Sequence, residues 1–263
     1  MNNISKYDRI FTFGCSWTNY VWPTWAEMIR YTDQSPEVHN WGISGIGNVG
    51  IFYRMIECDL KNKFTENDLI IVQWTSWTRE DRHVNRWQTY GNIFNSSYYD
   101  QKFLKKYWSW DNDVIKNSSC ILATNKMFNI GYQFNMLPNL YSELEFPFRD
   151  EEWHKIYHDA LPKIDYFPKG SGCFNGKMTY DAHPDIKDHL NFFNNNIKDR
   201  FGFTLEKNES EILKLYDSIV KNLDHLDPLM INGAAGRPAV QDLIHKECKI
   251  LDSNFPHDPQ GLL

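Results

Sequence analysis

Phe11-Thr12-Phe13-Gly14-Cys15-Ser16-Trp17-Thr18 decides how this chain is to be read. Ile10 to Phe13 is a short apolar run of β-formers, the mark of a buried strand. Gly14 breaks that run and permits a sharp turn. Pro23 then opens a helical pattern in which Trp25, Met28 and Ile29 share one face. Strand, tight turn, serine, helix is the geometry that holds a nucleophilic hydroxyl clear of a sheet. A turn serine that only satisfies local backbone would read the same way, so the weight falls on later stretches.

Working outward, Val38-His39-Asn40 reads as a second strand, leading into Asn40-Trp41-Gly42-Ile43-Ser44-Gly45-Ile46-Gly47-Asn48. Ile51, Phe52, Met55, Ile56 and Leu60 follow at helical spacing, with Asn48 as the expected N-cap. A glycine-rich turn at a helix start offers backbone N–H groups to an anion, or is simply a tight βα connection. Asp68-Leu69-Ile70-Ile71-Val72-Gln73-Trp74 is the clearest strand, apolar almost throughout as a central parallel strand should be. It ends abruptly in polar Thr75-Ser76-Trp77-Thr78-Arg79-Glu80. In open α/β sheets ligands bind beyond the carboxyl ends of the strands, and Ser16, Gly45 and Thr75/Ser76 would all lie on that edge.

From Asp81 to Asp111 the βα rhythm stops, and Trp87, Tyr90, Phe94, Tyr98, Tyr99, Phe103, Tyr107, Trp108 and Trp110 crowd among polar residues. Such a stretch reads either as a lid for stacking on a substrate or as a satellite core. Asn112 to Ile130 reads as a helix with Val114, Ile115, Ile121, Leu122 and Phe128 inward, ended by Gly131. Tyr132 to Leu137 reads as a strand, Glu151 to Leu161 as a helix, and Gly170-Ser171-Gly172 as a turn. Asp181-Ala182-His183-Pro184 then precedes a helix carrying Leu190, Phe193 and Ile197. Asp and His two apart can bring a carboxylate to an imidazole and fix its tautomer; a capped helix start with a surface histidine is the competing reading. Glu209 to Leu263 reads as two further amphipathic helices.

Composition narrows the classes. The 263 residues suit one large α/β domain with insertions or two small ones. No apolar run reaches bilayer-spanning length, and the first residues lack the pattern of a signal peptide, so a cytoplasmic location is expected, or a virion-associated one if the chain is phage-encoded. Five scattered cysteines form no Cys-x-x-Cys pair, against a zinc knuckle or disulfide framework. A net charge of −6 leaves no basic field for nucleic acid. Aromatic residues reach 16 %, more than a core needs, which draws attention to the 81–111 stretch.

Taken together, four stretches resemble the SGNH (GDSL-like) hydrolase superfamily, in a branch common in bacteria and phages. Phe13-Gly14-Cys15-Ser16 is similar to its first block, with Cys15 where Asp is usual. Asn40 to Gly45 is similar to its glycine block, Asp68 to Ser76 to its third, and Asp181-Ala182-His183-Pro184 to its terminal Asp-His block. The resemblance covers roughly residues 8 to 200. It implies a three-layer α/β/α sandwich with a parallel, flavodoxin-like sheet over 1–203, interrupted by the 81–111 insertion or lid, and a helical extension over 204–263. It implies Ser16 as nucleophile, His183 as general base and Asp181 as orienter, with Asp185 a rival for that last role. The N–H groups of Ser16 and Gly45 would form the oxyanion hole. The family's third-block Asn is missing, and Thr75 or Ser76 stands in that neighbourhood. Trp17, Trp74, Arg79 and Trp87 are candidate substrate contacts. The implied chemistry is hydrolysis of an acyl ester, acetyl foremost, on a carbohydrate or other small molecule. It needs no metal or cofactor and involves neither nucleic acid nor membrane. An O-acyltransferase, or an inactive scaffold binding glycan or protein, uses the same sequence features.

Overall fold

In the computed structural model, residues 6–34, 36–94, 99–136, 152–162, 164–167, 173–181, 183–206, 208–232 and 237–252 are described. The Gly170–Gly172 turn, Tyr98 and Ala182 lie outside them. A five-stranded sheet runs in the order β2-β1-β3-β6-β7, with β1 Arg9–Phe13, β2 Glu37–Asn40, β3 Asp68–Trp74, β6 Ile130–Asn135 and β7 Asp165–Tyr166. β3–β6 and β6–β7 pair in parallel. The fold is therefore α/β, with the strand order of a doubly wound sheet once the intervening hairpin is set aside. All seven residues of β3 are buried, as its apolar run requires.

Two compact units divide the chain: Met1–Ile10 with Trp17–Asn40 and Lys169–Leu262, and Phe11–Ser16 with Trp41–Pro168. In the first, the six-residue helix α1 (Trp25–Arg30) starts at a capping box in which Thr24 and Glu27 satisfy each other's end of the chain. Its core joins Trp22, Trp25, Met28 and Ile29 to Phe174, Phe192 and Phe193. Ile212, Tyr216, Ile219 and Leu223 of Glu209–Asp224 and Val240 and Ile244 of Arg237–Asp252 are buried in the same unit. A short helix, Pro228–Asn232, lies between those two, so the tail holds one more helical piece than its periodicity predicts.

The second unit holds α2 (Asn48–Asn62), the antiparallel hairpin β4 (Arg79–Val84) and β5 (Arg86–Asn92), α3 (Gln101–Tyr107), α4 (Trp110–Met127) and α5 (Glu152–Ala160). The 81–111 stretch is thus regular, a hairpin and a helix, because cross-strand pairing absorbs its polar backbone. Its aromatics pack largely on one another: Phe94 on Trp108 at 5.0 Å, Tyr99 on Phe103 at 5.3 Å, Phe103 on Tyr107 at 5.0 Å. Three details depart from the sequence pattern. Leu60 is exposed while Arg54 is buried, because the Arg54 guanidinium lies over the Trp41 ring and its Nε donates to the Trp41 carbonyl. Ile115 faces out. Helix α4 ends at Met127 with Phe128 as its C-cap, rather than at Gly131, which sits within β6, where a Cβ would fall 2.3 Å from a Leu69 methyl.

Candidate functional site

Ser16 follows β1 by three residues and is 2 % exposed. The preceding Cys15 points its thiol at Met136 Sδ, 3.5 Å away, and lies 3.9 Å from Gln73 Oε1. Ile43 N donates to the Gly14 carbonyl at 3.0 Å, which fastens the glycine loop to the serine turn. Gly45 adopts φ +80°, a region that only glycine enters without strain. Its N–H makes no hydrogen bond to the described residues.

The β4–β5 hairpin clamps this loop. Thr89 Oγ1 donates to the Ser44 carbonyl at 2.8 Å, and Arg79 Nη1 donates to the Ile46 carbonyl at 3.1 Å. The Asp81 carboxylate accepts from Gly47 N at 2.9 Å and Gly50 N at 2.9 Å. The anion expected at the start of α2 is therefore a side chain of the protein itself, placed where the helix dipole favours negative charge. Burial raises the Asp81 carboxyl above its ordinary value, against the pull of those two N–H groups. The helix N-cap is Gly47, not Asn48. Asn48 instead turns its side chain onto Thr75, accepting from Thr75 N at 2.8 Å and donating to Thr75 O at 3.0 Å. It also donates to Asn117 Oδ1 at 2.8 Å. The end of β3 is held by this amide pair.

Of the two hydroxyls standing where the family has Asn, Ser76 Oγ shares a hydrogen bond with Thr78 Oγ1 at 3.0 Å. Thr75 Oγ1 is buried and meets only the Met136 sulfur, at 3.7 Å. Sulfur is a weak acceptor, so the Thr75 hydroxyl is the more easily redirected. Arg79 is committed to the loop, with Nη2 also 3.7 Å from Met136 Sδ. Trp74 is a correction to the candidate substrate contacts: it is 0 % exposed and its indole N–H is spent on Gln133 Oε1 at 2.9 Å. Trp87 lies in β5 opposite His83, its side chain outside the described residues. Trp17 is half-buried.

In the other unit, the Asp-x-His element forms a closed local arrangement. His183 Nδ1 is 2.6 Å from Asp181 Oδ1, and the same oxygen accepts from His183 N at 3.0 Å. The other oxygen, Oδ2, accepts from the Tyr20 hydroxyl at 2.7 Å, while the Tyr20 ring stacks on the imidazole with centroids 4.0 Å apart. Burial would raise the Asp181 carboxyl, but the hydrogen bonds from His183 and Tyr20 outweigh it and hold it below the usual carboxylate value. Burial and the same carboxylate raise the Tyr20 phenol. An ionised carboxylate only accepts, so Nδ1 carries the hydrogen of this bond. The His183 side chain is 27 % exposed and that of Asp181 4 %.

Asp185 is not the orienter. Its carboxylate caps the helix Ile186–Phe192, here α6, in a box with Asp188, and takes the Phe174 N–H at 2.8 Å. Trp22 steadies the segment from below, its indole donating to the Pro184 carbonyl at 2.9 Å. Tyr20 and Trp22 were not legible as site residues; the only hint was their place in the aromatic stretch just after Ser16. Among the described residues no three His, Cys, Asp or Glu side chains group as a metal site would need, and no helix is long and apolar enough to cross a membrane.

No family model matches the chain, and no curated protein sequence matches it. Among solved structures it is similar to a catalytic mutant of Axe2, an acetylxylan esterase from Geobacillus stearothermophilus. That structure is 13 % identical, with 78 % of this chain and 97 % of that one covered at a TM-score of 0.40, and no residue role passes from it to this chain.

Proposed function

We propose that the protein is a serine ester hydrolase of the SGNH type, removing ester-linked acyl groups, acetyl foremost, from a carbohydrate. The observation that carries this reading is the Asp181–His183 pair, with Nδ1 committed to a carboxylate and the imidazole backed by Tyr20. Ser16 in a strand–turn setting and Gly45 with an uncommitted N–H supply the two other parts such chemistry needs.

In this mechanism Ser16 Oγ attacks the ester carbonyl carbon as its proton passes to a general base, the role that the resemblance gives to His183. The imidazolium is stabilised by the Asp181 carboxylate. The oxyanion accepts from the N–H groups of Ser16 and Gly45, with the Thr75 hydroxyl as third donor in place of the family's Asn. Collapse of the tetrahedral adduct breaks the bond to the alcohol oxygen, which leaves with the proton from that base. Water, deprotonated by the same group, then attacks the acyl-enzyme, and the carboxylic acid departs as Ser16 regains its proton. Exposed Phe94, Phe103 and Tyr107, on the segment that follows β3, support a carbohydrate as the acylated partner, since flat faces beside polar groups suit sugar rings.

A fluorophosphonate should label Ser16, and turnover of p-nitrophenyl acetate should collapse to a similar extent in Ser16→Ala and His183→Ala, without further loss in the double variant. Unchanged turnover in Ser16→Ala would refute the assignment. A second reading, an SGNH scaffold that binds without turnover, is favoured by the missing third-block Asn, whose loss alone costs roughly 10²–10³ in rate. Absence of probe labelling in a folded protein would select it.

A further inference from the structure

A cavity of about 360 Å³ opens within the first unit, lined by Tyr20, Trp22, Arg30, Tyr31, His245 and Lys249. Arg30 sits in the last turn of α1 and is only 8 % exposed. Its guanidinium makes no hydrogen bond or ion pair with the described residues. That is costly, because Arg stays charged at any ordinary pH and this guanidinium keeps only the hydration that reaches it through the cavity. Glu27, which also lines the cavity, does not relieve it. Its carboxylate accepts from Thr24 N, Thr24 Oγ1 and Asn40 Nδ2, and is consumed by the helix cap. The long helix Arg237–Asp252 adds Lys249 and His245 to the lining, both exposed. A guanidinium, an ammonium and an imidazole thus line a space to which half-buried Tyr20 and Val21 also contribute.

We propose that this cavity binds a small organic anion. Its carboxylate or phosphate would lie on Arg30 and Lys249, and a flat or apolar body would lie against Tyr20 and Val21. Bidentate pairing with the Arg30 fork supplies the bond the free protein lacks. The volume lies at the lower end of small-molecule pockets and suits one ring with its anionic group. Lys249 adds long-range attraction that salt screens, because it is exposed. Neither Ser16 nor His183 lines the cavity, although Tyr20, which bonds Asp181, does.

The test is calorimetric titration of the full chain with phenyl phosphate, with benzyl alcohol as the neutral counterpart and inorganic phosphate as the bare anion. Phenyl phosphate should bind saturably at one site, more tightly than inorganic phosphate, and benzyl alcohol should not bind. Arg30→Met should weaken binding by on the order of thirtyfold or more, the scale for truncating one side of a buried charge pair. Lys249→Gln should weaken it about threefold, as an exposed pair does, and raised salt should narrow that difference. Arg30→Met should also raise the melting temperature of the ligand-free protein, since it removes an unpaired buried charge; a residue kept for the fold would give the opposite sign. No saturable binding of phenyl phosphate, or undiminished binding by Arg30→Met, would overturn the site. A fall in melting temperature in Arg30→Met would overturn the unpaired guanidinium on which it rests. Equal affinity for inorganic phosphate would overturn the apolar contact with Tyr20 and Val21.

Discussion

Replacing His189 should make the protein less sensitive to acid. His189 lies in α6, is 1 % exposed, and its imidazole is pushed down from 6.5 to about 3, first by burial and then by the neighbouring charge of His183. A group whose folded value is depressed in this way is neutral in the native state, while in the unfolded chain it takes up a proton as pH falls below its ordinary value. The unfolded state then binds more protons, so stability is lost as pH falls from about 6.5 toward about 3. Each pH unit in that window costs about 1.4 kcal/mol, so at about pH 5 the loss from this residue is about 2 kcal/mol. Urea denaturation of wild type and His189→Gln at about pH 7 and about pH 5 measures it. The wild type should lose about 2 kcal/mol more than the variant between the two conditions, whatever the variant's starting stability. Asp81, Asp113 and Asp185, raised by burial, and Asp181, held low, titrate alike in both proteins and cancel in the difference. Equal losses in the two proteins would refute a buried, neutral His189.

Tyr20→Phe removes the hydroxyl from Asp181 while keeping the ring on His183; it should lower kcat for p-nitrophenyl acetate several-fold with KM nearly unchanged, and steady-state kinetics decides this. Asp81→Ala leaves the Gly47 and Gly50 N–H groups without their cap and should cost roughly 1–2 kcal/mol in urea denaturation, the range for lost N-terminal caps.

Secondary structure was largely written in local pattern. The apolar run Leu69–Val72 could only be a buried central strand, and Glu209–Asp224 shows its inward face as Ile212, Tyr216, Ile219 and Leu223. The pattern failed where a tertiary partner reversed a residue's preference. Arg54 goes inside because Trp41 supplies both a ring face and a carbonyl. Gly131 reads as a helix end but belongs to β6, where Leu69 leaves no room for a side chain. The 81–111 stretch has no hydrophobic alternation to announce a hairpin, since its strands Arg79–Val84 and Arg86–Asn92 carry charged residues on a two-stranded ribbon.

By itself the sequence determined the strands β1, β3 and β6, the long helices between them and the α/β class, and its resemblance singled out Ser16, Gly45, Asp181 and His183 as candidates. The elements depend on spacing along the chain, which local physics reads directly. Only the tertiary structure decided which carboxylate bonds His183, because Asp181 was expected there with Asp185 as its rival. One bonds the imidazole, and the other is consumed by a helix cap. It alone revealed Tyr20 behind the pair, Asp81 on the glycine loop and Arg30 without a partner among the described residues. Those are contacts between residues tens to more than a hundred positions apart, or the lack of one, and no local signal in a chain records what folding will bring beside it.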